Sequence, residues 1–356
     1  MLALGLMSGT SLDGVDAALV VTDGVGVERM GPSLTRPYPA DTRSRLRAVL
    51  GGIGPVAEVE DEITRIHAEV VQELLVLGGL EPAEVDVIGF HGHTILHRPE
   101  QRRTWQIGDG RLLADLTGIP VVNDFRTADV AAGGQGAPLV PVFHRALAAG
   151  IARPVAVLNL GGVGNVTWIG EDDSLLAFDT GPGNALIDDW AMAHTGRPVD
   201  ENGALARAGR TDAERVEQFS RHPYFAQRPP KSLDRDDFRH FAASLVEGMN
   251  AADGAATLTA FTACAVAQSR AHFPKAAVRW LVCGGGRHNP AVMAALAAEL
   301  GVPVEPVESV GWDGDALEAQ AFAYLAVRSL RGLPLTYPET TGGPAASCGG
   351  RFHALS

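Results

Sequence analysis

The sequence predicts an α/β protein of two lobes, each built on a mixed sheet flanked by helices, and three observations carry the prediction. The chain has 356 residues, more than the ~250 to 300 at which single cores stop growing. Its apolar runs alternate between short strand-like stretches and longer ones with helical spacing. A strand, a glycine-rich turn and a second strand occur at residues 2–21 and again at 155–170. That spacing marks a duplicated unit, because solenoid repeats come at ~20 to 50 residues.

Taken in order, residues 2–7 and 15–21 are two strands joined by a Gly-Ser-Asp turn, with a third near 25–34. Ile63, Ile66, Val70, Leu74 and Leu77 share one helical face, and Gly78-Gly79 ends that helix. "VDVIGF" (85–90) is a buried strand, "TGIPVVNDF" (117–125) holds another, and residues 136–150 read as a helix beginning near the prolines. The opening grammar then returns in "VAVLNLGGVGNVTWIG" (155–170), and "SLLAFDTGPGNALIDDW" (174–190) runs from a strand through Gly-Pro-Gly into a helix. Leu258, Phe261 and Ala265 mark a further helix, "WLVCGGG" (280–286) a strand ending in three glycines, and residues 313–331 a last helix. The lobes are expected at 1–133 with 315–356, and at 134–314.

Composition narrows the function classes. With 46% apolar and 20% charged residues the chain is an ordinary globular protein. A net charge of -13 repels nucleic acid and anionic membranes, so a small-molecule ligand is expected. Three cysteines, Cys264, Cys283 and Cys348, show no CxxC spacing, which fits reduced thiols in a cytoplasm. "MLALGLMSG" lacks a basic region, and its apolar run is too short for a signal core or a membrane span.

Three glycine-bearing turns follow strands: residues 9–14, 161–164 and 284–286. Glycine lets backbone approach an anion closely, and Ser8, Thr10 and Ser11 add hydroxyl donors, so paired turns could grip nucleotide phosphates. One such turn is ordinarily just a chain reversal. No P-loop and no dinucleotide fingerprint is present, so a nucleotide would bind by another scheme. In "FDTGPGN" (178–184), Asp179 ends a strand before a glycine turn: it is either a cap for the next helix or a general base. Asp13 and Asp16 offer hard oxygen ligands for Mg²⁺, or are turn-forming aspartates. "HGHTILHRP" (91–99) follows a strand and lacks a zinc-helix pattern, so its histidines fit hydrogen bonding to a polar ligand better than zinc. "NDFRTADVAAGGQGAPLVP" (123–141) presents Asp124, Arg126, Asp129 and Gln135 beside a flexible Gly-Gly, as a ligand loop or a charged interlobe loop.

Together "MSGTSLDGVD", "HGHTILHRP", "QIGDG", "DFRTADVAAGGQGAPLVP", "NLGGVGNVT", "FDTGPGN" and "LVCGGGRHN" resemble the anhydro-N-acetylmuramic acid kinase family over nearly the whole chain. The resemblance implies the two-lobed actin-like ATPase fold of the actin, Hsp70 and sugar-kinase superfamily, a duplicated ribonuclease H-like fold with an interlobe cleft. It implies ATP and Mg²⁺ as cofactors, with Gly9, Thr10, Ser11, Leu12, Asp13, Gly14, Val15 and Asp16 at the phosphates. Gly161, Gly162 and Asn165 would form the second phosphate loop, Gly284, Gly285 and Gly286 would lie by the adenosine, and Asp179 would be the catalytic base. Superfamily relatives commonly begin the first phosphate loop with a strand-ending aspartate, where this chain has Met7, so Asp13 and Asp16 are the metal candidates. His91, Arg126, Gln135 and Glu318 are the expected sugar contacts. Arg126 or Lys231 would meet the lactyl carboxylate, within a positive patch that includes Arg235. His93 stands where family members often carry Gln. The implied reaction opens 1,6-anhydro-N-acetylmuramic acid with water and phosphorylates O6 in peptidoglycan recycling, with a homodimer left open. An ordinary sugar kinase without ring cleavage and a nonenzymatic ATP-binding module are the competing readings.

Overall fold

An unbroken apolar run favours a strand buried on both faces, and residues 2–7 are such a run. In the computed structural model, which describes every residue except Thr10, Arg235 and Ser356, they lie in β1 (Leu2–Ser8), buried from Ala3 onward. Contacts divide the chain into one unit of Met1–Ala149 with Ala316–Ser356 and a second of Gly150–Asp315. The segment 134–149, expected in the second lobe, lies in the first unit. Its helix, Pro141–Leu147, packs Phe143 against Tyr324, with ring centroids 5.4 Å apart.

In the first unit β1 pairs antiparallel with β2 (Gly14–Thr22), and β2 with β3 (Val27–Pro37). On its other side β1 runs parallel to β4 (Val87–Arg98), which also pairs with β5 (Arg103–Ile107). β4 continues parallel to β6 (Val121–Asn123). In the second unit β7 (Val155–Leu160) pairs antiparallel with β8 (Val163–Ile169), and β8 with β9 (Leu175–Pro182). β7 runs parallel to β10 (Arg279–Cys283), and β10 to β11 (Val304–Pro306). A short last strand, β12 (Arg351–His353), adds to β6 in the first unit. The cores of the sheets therefore have orders β3-β2-β1-β4-β6 and β9-β8-β7-β10-β11: three antiparallel strands, then two parallel ones, twice. This is the duplication that the two hairpins predicted.

The helix Val56–Gly78 buries the predicted Ile63, Val70 and Leu74 and ends at Gly79, whose left-handed backbone donates to Leu75 and Val76. The helix expected at residues 313–331 spans Leu317–Leu330 and is buried along most of its length, and a short helix, Pro338–Thr341, follows it. Residues 136–150 are helical only over Pro141–Leu147 and a 3-10 turn. The pattern missed β5 and β12. It also missed the helices Ala204–Ala208, Ala213–Ser220 and Arg239–Val246; the second of these carries Phe219, which stacks on Phe261 at 4.3 Å. Among the described residues no helix is long and apolar enough to cross a membrane.

Candidate active site

The first glycine turn is shaped by its own short hydrogen bonds. Leu12 N–H donates to Gly9 O (3.1 Å), Ser11 Oγ donates to Asp13 Oδ1 (2.7 Å), and Tyr38 N–H donates to Asp13 O (3.0 Å). Leu12 takes φ +61°, the left-handed region that side chains avoid, and buries its side chain, as does Val15. Those two predicted contacts therefore offer a ligand only backbone. Ser11 and Asp13 are exposed, Asp16 Oδ1 accepts from Thr35 Oγ1 (2.5 Å), and Thr10 lies outside the described residues. Below the turn Tyr38 Oη donates to Ser8 Oγ (2.8 Å), which bonds His93 Nδ1 (2.9 Å).

The second and third turns meet within the second unit. Gly161 and Gly162 join β7 to β8, and their carbonyls accept from the N–H groups of Gly183, Asn184 and Ala185 at the start of the helix Ala185–Thr195. Asn165 stands opposite Asp179 in the β8–β9 register. Gly284, with φ +73°, opens the third turn, and a Cβ at Gly286 would sit 2.6 Å from that of Leu160. Asn184 locks the arrangement by donating to Leu160 O (2.8 Å). Gly285 is the open member: the nearest neighbour of a Cβ placed there would be Asn184 Nδ2, at 4.0 Å.

Asp179 does not end its strand, since β9 keeps its pairing with β8 through Pro182, and it is not the helix cap: Asn184 occupies that position. Its Oδ2 accepts from Leu233 N–H (2.8 Å), its own N–H donates to Lys231 O (3.0 Å), and Tyr224 Oη donates to its carbonyl (2.6 Å). Burial pushes the Asp179 carboxyl up to about 7, the Leu233 amide opposing, Asp234 adding and Lys231 opposing. Burial also brings the Lys231 ammonium down to about 8 against the pull of Asp179. Lys231 is buried, with Nζ donating to Tyr224 O (3.0 Å), and so points at protein carbonyls. Arg235 lies outside the described residues.

Of the expected sugar contacts, His91, Arg126 and Glu318 come together in the first unit. Arg126 donates from Nε (3.2 Å) and Nη2 (3.0 Å) to His91 Nε2, and from Nη1 to Gly136 O (2.7 Å). The Nδ1 of His91 bonds Gly92 O (2.9 Å), so both ring nitrogens are engaged within the protein. Burial first, then the Arg126 charge, holds His91 neutral well below its ordinary range. Burial lowers Arg126 to about 10, while Glu318 and Asp129 favour its charge. Glu318, in the first turn of Leu317–Leu330, is pushed up by burial and by the negative charge of Asp16, with Arg126 opposing and Asp13 adding. Gln135 follows Gly133-Gly134, with its N–H donating to Thr341 O (2.7 Å). Asp129 is structural: its carboxylate accepts from Gly136 N–H (2.7 Å), Thr336 Oγ1 (2.5 Å) and Thr341 Oγ1 (2.8 Å).

Motifs drew attention to Asp179 and Arg126, and the family resemblance to Glu318. They missed Tyr224, Lys231 O and the Leu233 amide as partners of Asp179, since no local pattern marks a backbone donor 54 residues away. The segment "HGHTILHRP" proves to be the second half of β4, so its histidines belong to a strand. Among the described residues no three His, Cys, Asp or Glu side chains gather to hold a metal by themselves. Asp13 and Asp16 supply only oxygen donors, and the repulsion they impose on Glu318 is of the kind that a hard divalent cation relieves.

A doubly occurring sheet of this order, with a glycine turn after the first strand of each copy, defines the actin-like class that contains the sugar kinases. The chain belongs to the anhydro-N-acetylmuramic acid kinase family, whose model matches residues 1–353. It is 67% identical over 353 residues to the anhydro-N-acetylmuramic acid kinase of Paramagnetospirillum magneticum, covering 99% of each chain. It is 59% identical over 356 residues to that of Rhodospirillum rubrum, covering 98% of this chain and 93% of the relative. A more distant likeness is to the activator of the 2-hydroxyisocaproyl-CoA dehydratase from Clostridium difficile with bound ADPNP. There the identity is 14%, the TM-score 0.48, and the coverage 93% of this chain and 96% of that one.

Proposed function

We propose that Asp179 is the general base of the family reaction, in which 1,6-anhydro-N-acetylmuramic acid is opened by water and phosphorylated by ATP. Water gives its proton to Asp179 and forms a bond to C1 as the C1–O6 bond breaks. The freed O6 takes the γ-phosphoryl group, yielding N-acetylmuramic acid 6-phosphate and ADP. The leaving oxygen needs no separate acid when phosphorus captures it, and phosphoryl transfer asks mainly for positioning and charge neutralisation. One observation carries this reading: a half-buried carboxylate within β9, three residues before its end, with Oδ2 fixed by an amide and its proton affinity raised by burial toward neutral pH.

In the same reading the turn from Gly9 to Asp16, Thr10 included, binds ATP phosphates. Gly161, Gly162 and Asn165 form the second phosphate loop, and Gly284, Gly285 and Gly286 lie by the adenosine. Asp13 and Asp16 would hold Mg²⁺, which when bound neutralises charge on the phosphates. Glu318 and Gln135 contact sugar hydroxyls, and Arg126 meets the lactyl carboxylate. His91 acts through Arg126, whose guanidinium it orients. The acidic net charge disfavours nucleic acid and anionic membranes as partners, and three cysteines without CxxC spacing support a cytoplasmic setting.

The test is turnover in H₂¹⁸O. Ring opening requires one ¹⁸O at C1 of the product, and an ordinary sugar kinase incorporates none. Asp179→Asn is expected to lower kcat by ~10² to 10⁴ with ATP binding retained. An unchanged kcat sinks the base assignment, and intact function without turnover favours the binding module.

A further inference from the structure

No motif marks residues 224–233, yet three hydrogen bonds tie them to Asp179: from Tyr224 Oη to its carbonyl, from its N–H to Lys231 O, and from Leu233 N–H to Oδ2. The Lys231 side chain closes this segment on itself. Its Nζ donates to Tyr224 O (3.0 Å) and Phe225 O (3.4 Å) and lies 3.4 Å from His272 Nε2. It also sits 4.3 Å from the ring centroid of Tyr224 and 5.6 Å from that of Phe178, the residue before Asp179. A buried ammonium is costly unless its partners hold it. Here those partners are parts of the structure around the base, and Leu233 follows two residues on.

We propose that Lys231 is a positioning residue for the general base: its ammonium closes residues 224–233 into a clamp that keeps the Leu233 amide on Asp179 Oδ2 and leaves Oδ1 to take the proton. The proposal rests on the reading of Asp179 as base. It assigns Lys231 to the protein side of the site, away from the lactyl carboxylate.

The charged and titratable groups facing Asp179 are Lys231 and Asp234 from this segment and Tyr224 at its start. Asp237 acts on Tyr224, His272 lies beside the ammonium, and the cross-strand neighbour Asn165 is uncharged. Lys231 is the cation of this set, so its loss moves the carboxyl further up.

The experiment measures kcat, KM and the pH profile of kcat for Lys231→Met, Lys231→Arg and Tyr224→Phe, with the anhydro sugar and ATP. Lys231→Met is expected to lower kcat by ~10- to 10²-fold, the scale of a small misplacement of a reacting group. KM for the sugar stays unchanged, the acid limb moves to higher pH, and Lys231→Arg restores part of kcat. A raised KM with kcat and limb unmoved would put Lys231 on the substrate and overturn the proposal, as would three unmoved parameters. If Lys231→Met does not fold, Tyr224→Phe removes one tie and keeps the charge; kcat must fall with KM constant, and an unchanged kcat refutes the clamp. Asp179→Asn separates the two claims. A wild-type rate there defeats the base itself, whereas a lost rate there beside wild-type behaviour of the clamp variants defeats the clamp alone.

Discussion

At the scale of single residues, burial of the Asp179 carboxyl ties stability to pH. Its carboxyl binds a proton more tightly in the folded chain, at about 7, than in the unfolded one, near the ordinary 3.8. Below about pH 4 both states are protonated and the difference vanishes. As pH rises through 4 to 7 the unfolded state releases its proton first, so folding is progressively disfavoured, and the full cost is present above 7. Asp179→Asn keeps an acceptor for the Leu233 amide and removes the charge. The variant should therefore melt at a higher temperature than wild type at pH 8, with the gap closing as pH falls toward 4. A gap that does not change with pH would mean that the carboxylate is not destabilised by its surroundings. The residue itself was legible in "FDTGPGN", but its partners were not, because Leu233 and Tyr224 reach it through the chain's tertiary path.

At the scale of elements, the placement of Glu318 depends on two glycines inside strands. A Cβ on Gly5 of β1 would fall 2.5 Å from Ala323 N and 2.8 Å from Ala319 C, and one on Gly89 of β4 would fall 2.6 Å from Phe322 C. The helix Leu317–Leu330 therefore lies backbone-to-backbone on the sheet, with Glu318 beside the end that carries Arg126 and Asp16. Gly5→Ala should force the helix outward, costing about 1 to 3 kcal/mol in denaturant unfolding as overpacking does. It should also raise KM for the sugar by displacing Glu318. Wild-type stability and KM together would show that the helix can shift freely. The pattern of apolar residues announced both strands and the helix. It did not announce their contact, since a glycine within a strand signals close approach without naming what approaches.

At the scale of the molecule, the first unit buries four of its histidines, His67, His91, His93 and His144. Burial brings His67 and His93 down to about 4 and His144 to about 3, and His91 falls well below its ordinary 6.5. Each is neutral in the folded chain while the unfolded chain takes up protons near 6.5, so stability is whole above that pH and drains away as pH falls toward 4. The urea midpoint is expected to decline over that window. His93→Gln, which keeps a hydrogen-bonding partner for Ser8, should flatten the decline; an unaltered slope would remove His93 from this account.

The same scale separates what each level of description decides. Linear order was enough to establish the α/β class, the duplication and the family, because apolar periodicity, glycine turns and short motifs are local. It did not reveal β5, β12 or the aromatic helices of the second unit, whose short or irregular patterns acquire meaning only when packed. Folding in three dimensions was needed to settle that His91 spends both nitrogens on Gly92 and Arg126, that Asp129 braces a loop, and that Lys231 turns inward onto the carbonyl of Tyr224. The physical reason is common to all three: a side chain's chemistry follows from which partners remain after burial, and those partners come from distant parts of the chain.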